Sequence, residues 1–176
     1  VGSWFSEEFA GEQIPSLEEV LDYCKGKIYL NIELKNIGRD TNLPERVAAM
    51  IREKDMADQC VVTSVSLSYL DQIKEVEPDI RTGFIVAAAY GDYYTNPAVD
   101  FISLRSSLVT RGLVERAHEA GRAVHAWTVN TPREIRQMEQ AGVDNIITDY
   151  PVLVRNLLYQ EEGPRTLMEM VRTVLN

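Results

Sequence analysis

The chain has 176 residues, of which 45% are hydrophobic and 26% are charged. This composition predicts an ordinary globular domain and excludes a disordered chain, because there are enough apolar residues to build a core. The 27 acidic residues outnumber the 18 basic ones and give a formal net charge of −9, which argues against a nucleic-acid partner since phosphate binding needs concentrated Lys and Arg.

Two cysteines, Cys24 and Cys60, are present without a Cys-x-x-Cys motif or a Cys/His cluster. This pattern predicts small buried thiols and excludes a disulfide framework or a zinc site. The sequence also lacks a glycine-rich phosphate loop, a Gly-x-Ser-x-Gly elbow and a His-Glu-x-x-His helix, so those nucleotide-binding, hydrolase and zinc-protease motifs are excluded.

Short apolar runs that are typical of strands alternate with amphipathic runs that are typical of helices. The predicted strands, in chain order, are Ile28–Leu34, Cys60–Val65, Thr82–Val86, Asp100–Leu104, Ala123–Val129 and Asn145–Thr148. The predicted helices are one that begins at Leu17, one that Pro44 opens, Leu67–Val76, Leu108–Ala120, one that begins at Pro132, and Pro151–Tyr159.

Local signals mark where several of these helices begin and end. Ser16 with Glu19, and Thr131 with Glu134, have the spacing of a capping box, in which the hydroxyl and the carboxylate satisfy reciprocal backbone donors. Gly121 and Gly142 stand where a left-handed helix end is expected. The last segment, 165–176, has apolar residues at helical spacing and predicts a C-terminal helix that packs on the domain or, alternatively, binds a partner.

Strands that alternate with helices pair in parallel, because each crossover helix returns the chain to the same end of the sheet. The candidates are an open doubly wound sheet and a (β/α)₈ TIM barrel. A barrel takes about 250 residues, or roughly 30 per unit, so this chain would hold about six of eight βα units. We therefore predict an incomplete parallel barrel over residues 1–159, a helical extension over residues 160–176, and two further strands upstream of Val1.

The predicted strand that ends at Lys35 is the most informative stretch for chemistry. Side chains alternate along a strand, so Asn31, Glu33 and Lys35 share one face while the leucines and isoleucine share the other. In a barrel the apolar face packs under the helices, and the polar face turns inward at the carboxyl end, where barrel enzymes hold their catalytic groups. The alternative is a buried Glu33–Lys35 ion pair with no chemistry.

A second group of candidates lies at the ends of later strands. Trp127 is expected either to form the wall of a pocket or to plug the barrel, with His125 deeper as a hydrogen-bonded core residue. Asp149 either contributes to the mouth of the site or caps the following helix. Ser64 and Arg105 are weaker candidates for the mouth of the site. His118 is expected at the end of a helix, and Tyr90–Tyr94 is interpreted either as an aromatic lid over the mouth or as an ordinary loop.

Five segments keep the order and spacing of one protein family: Ser3-Trp4-Phe5, Gly11 to Leu21, Asn31-Ile32-Glu33-Leu34-Lys35, Trp127-Thr128-Val129-Asn130 and Gly142 to Pro151. Together they resemble the glycerophosphodiester phosphodiesterases from about residue 2 to about residue 158. The resemblance implies a TIM-barrel hydrolase of lipid and glycerol metabolism that cleaves glycerophosphodiesters to glycerol 3-phosphate and an alcohol, with a divalent cation, calcium or magnesium.

The resemblance also implies roles for three residues. Glu33 is similar to a metal-ligand carboxylate, Lys35 to the catalytic cation beside the substrate phosphate, and Trp127 to the tryptophan that lines the substrate pocket. The N-terminal part of the family pattern, with its His-Arg-Gly strand end, Glu-x-Asp metal pair and His-Asp element, is not present here, and His118 and His125 occupy other positions. We therefore expect a phosphodiesterase in the intact protein, and an inactive chain, with its cation site unfilled, when these 176 residues stand alone.

Two other functions compete with this interpretation. One is a non-catalytic barrel module that binds a phosphorylated ligand or a protein partner. The other is a barrel enzyme with Lys35 as a Schiff-base nucleophile, which Glu33 disfavours because a nearby carboxylate stabilises the charged lysine. Strand edges left open by missing strands predict self-association, strand exchange or coverage by residues 165–176. The compartment is undetermined; we expect cytoplasm or association with a membrane through an upstream domain.

Overall fold

A computed structural model describes residues 1–35, 42–86 and 93–159. The chain forms two compact units, Val1–Ile85 with Asn96–Asp100, and Val86–Thr95 with Phe101–Asn176. The helices are α1 (Leu17–Cys24), α2 (Leu43–Glu53), α3 (Leu67–Val76), α4 (Arg111–Glu119), α5 (Pro132–Ala141) and α6 (Pro151–Tyr159), and the strands are β1 (Leu30–Leu34), β2 (Cys60–Ser64), β3 (Arg81–Val86), β4 (Phe101–Arg105), β5 (Ala123–Trp127) and β6 (Asn145–Ile146).

In the first unit, β1, β2 and β3 pair in parallel in chain order. Helix α2 lies between β1 and β2 along the chain, and helix α3 lies between β2 and β3. One side of this sheet carries the core, in which buried residues from the strands meet buried residues from α1, α2 and α3. The largest fully buried side chains of this core are Leu21, Ile51, Met56, Ile73 and Ile80.

In the second unit, β4, β5 and β6 also pair in parallel in chain order. The register places Arg105 opposite Trp127 at one end of the β4–β5 pair. A core cluster covers one face of β5, where Ala126 packs with Val129 and with Ile135 and Met138 of α5. Helix α6 contributes partly buried apolar residues to the same cluster.

The predicted fold class is confirmed, because parallel strands alternate with helices through the described residues in the manner of an incomplete TIM barrel. Both predicted capping boxes are present, with Ser16 on α1 and Thr131 on α5. Gly142 ends α5 with φ of 83°, a left-handed conformation that glycine adopts without the strain imposed by a Cβ.

Several predicted boundaries were wrong, including the start of β1, which is Leu30 rather than Ile28. Helix α4 begins at Arg111 rather than at Leu108, because the Thr110 hydroxyl accepts a hydrogen bond from the Leu113 N–H and caps the helix there. Strand β5 ends at Trp127, so Val129 does not share a face with Trp127 but is buried in the cluster beside α5. Strand β6 is only two residues long.

Two predicted features lie outside the described residues: the helical extension over residues 160–176 and most of the proposed aromatic lid, including Tyr90. In the described ranges, the structure contains no helix with the length and apolar character that a membrane crossing requires.

Candidate functional site

Strand β1 presents a carboxylate and an ammonium group on the face opposite its buried leucine. Leu34 is buried in the core of the first unit, whereas the side chains of Glu33 and Lys35 are 42% and 73% exposed. Lys35 Nζ lies 3.6 Å from Glu33 Oε2. The alternation predicted for this strand is therefore present, and the alternative of a buried ion pair was wrong, because both groups reach solvent.

The rest of this face is also polar. The Asn31 side-chain oxygen accepts a hydrogen bond of 2.9 Å from the hydroxyl of Thr63 on β2. Thr63 is the register partner of Glu33 and is itself buried. This bond fixes the two strands beside the pair and leaves the Glu33 carboxylate with Lys35 as its ion-pair partner. An exposed pair of this kind contributes little to folding, so both charges are available to a ligand.

Glu33 is the residue of this face that could bind a divalent cation. Calcium and magnesium take six or more oxygen ligands, several of which are carboxylates or water. Within residues 1–35, 42–86 and 93–159, no cluster of three or more His, Cys, Asp or Glu side chains could hold a metal ion. The described residues therefore supply one carboxylate ligand for such a cation, Glu33, but they do not form a complete metal site.

In the second unit, the ends of β4 and β5 carry Arg105 and Trp127. The guanidinium carbon of Arg105 lies 5.6 Å from the centre of the Trp127 ring, within the range of a cation–π contact. Arg105 is exposed and Trp127 is half-buried. The Trp127 Nε1 atom is buried and has no hydrogen-bond partner in the part of the chain that the structure describes.

One step deeper on the same strands, the rings of His125 and Phe101 stack with centres 4.0 Å apart. Phe101 is fully buried and His125 is half-buried. This contact places His125 in the packing of the sheet, as the sequence indicated, two residues below Trp127.

The loops that follow β5 and β6 are joined by Asn130. Its amide nitrogen donates to Asp149 Oδ2 at 2.6 Å, and its amide oxygen accepts from the Asp149 N–H at 3.0 Å and from the Thr148 hydroxyl at 3.1 Å. Asp149 therefore bonds to the loop that follows β5. The role of Asn130 was missed, although its place directly after the predicted strand Ala123–Val129 was a signal for it.

Two weaker candidates have structural roles. The Ser64 hydroxyl is buried, donates to the Leu34 carbonyl at 2.9 Å and accepts from the Ser66 N–H at 3.1 Å, so it joins the ends of β1 and β2. His118 Nε2 lies 2.8 Å from Asp144 Oδ2, so its partner is this carboxylate rather than the end of its own helix.

A repeated aspartate was also missed. Asp100 and Asp144 each stand directly before a strand, in the pattern Val-Asp-x-Ile, and each accepts the backbone N–H of a residue in the preceding strand at 2.7 Å. Burial raises the pKa of each carboxyl, but hydrogen bonds from these N–H groups and from Lys74 or His118 outweigh burial and lower it. The repeated pattern was the signal available in the sequence.

Comparison with known proteins gives a consistent result. A model of the glycerophosphoryl diester phosphodiesterase family matches residues 1–153. A Bacillus altitudinis protein named glycerophosphodiester phosphodiesterase is 31% identical over 155 residues, which is 84% of this chain and 63% of the relative.

Two crystal structures are similar in fold. The first is of a Silicibacter pomeroyi DSS-3 protein assigned as a glycerophosphoryl diester phosphodiesterase, with a TM-score of 0.73 and 30% identity over 85% of this chain and 57% of the other. The second is of an Oleispira antarctica phosphodiesterase in complex with the product sn-glycerol-3-phosphate, with a TM-score of 0.71 and 23% identity over 88% of this chain and 65% of the other. The chain thus spans less than two thirds of the length of these relatives.

Proposed function

We propose, from the premise that this chain belongs to the glycerophosphoryl diester phosphodiesterase family, that it forms part of a hydrolase that cleaves glycerophosphodiesters to glycerol 3-phosphate and an alcohol. The observation that carries the proposal is the position of Glu33 and Lys35. Both project from the carboxyl end of a parallel strand, on the face opposite the core, where a barrel enzyme binds its substrate.

Lys35 is proposed to bind the phosphate of the substrate. Its side chain is 73% exposed and its ammonium nitrogen lies 3.6 Å from one oxygen of Glu33, so the ammonium group can move to an anionic oxygen without leaving a buried charge unpaired. A cation held at this point offsets the negative charge that grows on the phosphate oxygens and the leaving group during hydrolysis. Lys35 thereby assists catalysis by stabilising charge rather than by moving protons.

Glu33 is proposed to contribute one carboxylate ligand to a divalent cation in the whole protein. Such a cation, calcium or magnesium, would polarise the phosphate. In the second unit, Trp127 is proposed to contact the apolar part of a substrate with its exposed ring surface. These three roles are those that the family resemblance implies for Glu33, Lys35 and Trp127.

The 176-residue chain by itself is proposed to lack turnover. The sequence has two histidines, and both have partners within the second unit: His118 is paired with Asp144, and His125 is stacked on Phe101. General acid–base catalysis of phosphodiester cleavage needs a titratable group at the reacting atoms. The described residues of the first unit supply no such histidine beside Lys35.

Binding and turnover of this chain can be measured separately. Calorimetric titration with glycerol 3-phosphate is expected to show binding that Lys35→Met weakens about tenfold, because a charge-assisted contact is lost. Lys27→Met, which removes an exposed ammonium that contacts Tyr23, serves as the matched control and leaves binding unchanged. An assay for glycerol 3-phosphate release from a glycerophosphodiester is expected to stay at background. Equal effects of the two lysine variants would contradict the proposal.

A non-catalytic module that binds a phosphorylated ligand is the second candidate. The absence of a metal-holding cluster among the described residues favours it. The two candidates separate in the whole protein: the hydrolase releases glycerol 3-phosphate and loses this activity on Glu33→Gln, whereas the module binds glycerol 3-phosphate without any release.

Self-association is proposed for the isolated chain. Strand β1 pairs with β2 along one of its own two edges, and strand β6 pairs with β5 along one of its own two edges. A parallel strand with a free edge exposes backbone donors and acceptors that another chain can pair. Light scattering is expected to show a dimer or larger species whose population falls on Ile32→Pro, and a monomer at all concentrations would refute this.

A further inference from the structure

Three aromatic side chains near the start of the first unit contact one another and face solvent. Trp4 is 86% exposed, Phe5 is 72% exposed and Phe9 is 37% exposed. The ring centres of Trp4 and Phe5 lie 5.9 Å apart, and those of Phe5 and Phe9 also lie 5.9 Å apart. We call these three residues the aromatic patch. A contiguous group of exposed apolar side chains is typical of an interaction surface.

Backbone contacts hold the aromatic patch in one arrangement. The Gly2 carbonyl accepts the Phe5 N–H at 2.8 Å and the Ser6 N–H at 3.2 Å. The Ser6 carbonyl in turn accepts the Phe9 N–H at 3.1 Å. Gly2 has φ of 91°, and a Cβ at this position would lie 2.7 Å from the Phe9 Cβ, so glycine permits the close approach. Because the turn that carries the rings is already ordered, binding through them loses little conformational entropy.

The charges around the aromatic patch are all negative. Glu7 and Glu8 begin the 3₁₀ turn Glu7–Phe9, Glu12 follows this turn, and all three glutamates are exposed. No Lys or Arg occurs in the sequence before Lys25. Carboxylates at this density repel anionic surfaces and attract cationic groups. The partner of the patch is therefore a surface that presents positive charge next to apolar groups.

The size of the patch favours a lipid surface over a protein partner. A stable protein interface takes about 800 Å² and roughly 20 to 30 residues from each partner. Three aromatic side chains bury at most about 750 Å² in total, and most of Phe9 is already covered. Insertion of a few apolar side chains into the headgroup region, by contrast, is enough for reversible binding to a membrane. Trp is enriched in this region, since its ring is apolar and its N–H is polar.

We propose that the aromatic patch docks this chain reversibly on zwitterionic lipid surfaces whose outermost group is a quaternary ammonium, as in phosphatidylcholine. Aromatic rings bind quaternary ammonium groups through cation–π contacts. The carboxylates of Glu7 and Glu8 attract the same positive charge, while the rings insert between the headgroups. The inference goes beyond the proposed function and does not depend on it, because it uses no residue that is assigned to the substrate or to a metal ion.

Flotation of the 176-residue chain with lipid vesicles tests this proposal. Vesicles of phosphatidylcholine alone are compared with vesicles in which half of the lipid is phosphatidylglycerol, which is anionic. Trp4→Ala and Phe5→Ala each remove one ring of the patch. Tyr23→Ala removes an exposed ring of α1 in the same unit and is the matched control. Circular dichroism checks that each variant keeps the fold, as expected for side chains that are mostly in solvent.

The unsubstituted chain is expected to float with the phosphatidylcholine vesicles. Trp4→Ala is expected to lower its partition coefficient about tenfold, because one large ring no longer enters the lipid. Phe5→Ala is expected to have a smaller effect in the same direction, and Tyr23→Ala none. Failure of the chain to float, or equal partition of the Trp4→Ala and Tyr23→Ala variants, would overturn the proposal.

The two vesicle compositions test the contribution of charge. At low salt, binding to the vesicles with phosphatidylglycerol is expected to be about fivefold weaker than binding to phosphatidylcholine alone, because like charges repel. The double variant Glu7→Gln/Glu8→Gln is expected to reduce this difference. Glu115→Gln/Glu119→Gln, which neutralises two exposed glutamates of α4, leaves the difference unchanged. Tighter binding to the anionic vesicles would contradict the proposal.

Two further outcomes identify other partners and would each show that the proposal is wrong. Displacement of the chain from vesicles by glycerophosphocholine would assign the patch to a soluble ligand instead of a lipid surface. Loss of self-association in Trp4→Ala, measured by light scattering and without any flotation of the unsubstituted chain, would assign the patch to a contact between copies of this chain.

Discussion

One carboxylate oxygen of Asp144 joins His118 to the strand that follows the histidine's helix. Asp144 Oδ2 lies 2.8 Å from His118 Nε2 and accepts the Val124 N–H at 2.7 Å. In the first unit, Asp100 Oδ2 lies 2.7 Å from Lys74 Nζ and accepts the Thr82 N–H at 2.7 Å. In each unit, therefore, an aspartate before one strand fixes the preceding strand to the helix that leads into it.

We predict, first, that the contacts of Asp144 make the stability of the fold sensitive to acid. The pKa of Asp144 is lower in the folded chain, since bonds from Val124 and His118 outweigh the effect of burial. A carboxyl with a lowered folded pKa stabilises the fold above its ordinary value of about 3.9, and this stabilisation is lost as the pH falls through the folded value. Urea unfolding between pH 6 and pH 3 is expected to show this loss of unfolding free energy. In the Asp144→Asn variant, the unfolding free energy is expected to fall less steeply with pH. Equal pH slopes for the two proteins would contradict the assignment.

A second prediction separates the backbone bond of Asp100 from its ion pair. Asp100→Asn keeps an oxygen for the Thr82 N–H, whereas Asp100→Ala leaves that group without a partner next to a fully buried side chain. We expect the alanine variant to lose about 2 kcal/mol more unfolding free energy than the asparagine variant. Chemical denaturation measures both, and Lys74→Met isolates the ion pair. Equal losses in the two Asp100 variants would show that the backbone bond does not matter.

A third prediction concerns Gln59, whose side-chain amide holds the turn between α1 and β1. Its nitrogen donates to the carbonyls of Cys24, at 2.8 Å, and Ile28, and its oxygen accepts the Gly26 N–H at 2.8 Å. Gln59→Ala removes all three bonds and is expected to lower the unfolding free energy by roughly 2 kcal/mol. Gln13→Ala, at an exposed loop position, is the control. A loss below that of the control variant would rule out this role.

A fourth prediction concerns the two thiols. Burial, with a smaller contribution from Cys24, raises the pKa of Cys60 to about 11, so only about one molecule in a thousand carries a Cys60 thiolate at pH 8. Cys24 is only half-buried. Iodoacetamide at pH 8 is therefore expected to modify Cys24 well before Cys60, as peptide mass spectrometry would show, and both at similar rates in urea. Faster modification of folded Cys60 would contradict its burial.

Much of the architecture could be predicted because its causes are local. The capping boxes at Ser16 and Thr131 depend on residues three positions apart, and the two-residue alternation along β1 separates Glu33 from Leu34 in any sheet that buries one face. Errors arose where contacts with distant segments decide where an element ends. Strand β5 ends at Trp127, and the N–H of Val129, which was predicted to belong to this strand, donates to the Ile147 carbonyl.

The sequence by itself determined the order of helices and strands, the polar face that carries Glu33 and Lys35, and the family to which the chain is similar, because each of these depends on short-range patterns or on the order of motifs. Only the tertiary structure decided that Arg105 contacts Trp127, that Asn130 holds Asp149, and that Asp100 and Asp144 bind the strands before them. Those pairs join residues that lie 18 to 22 positions apart, and their contact depends on strand register and helix packing, which no local pattern encodes.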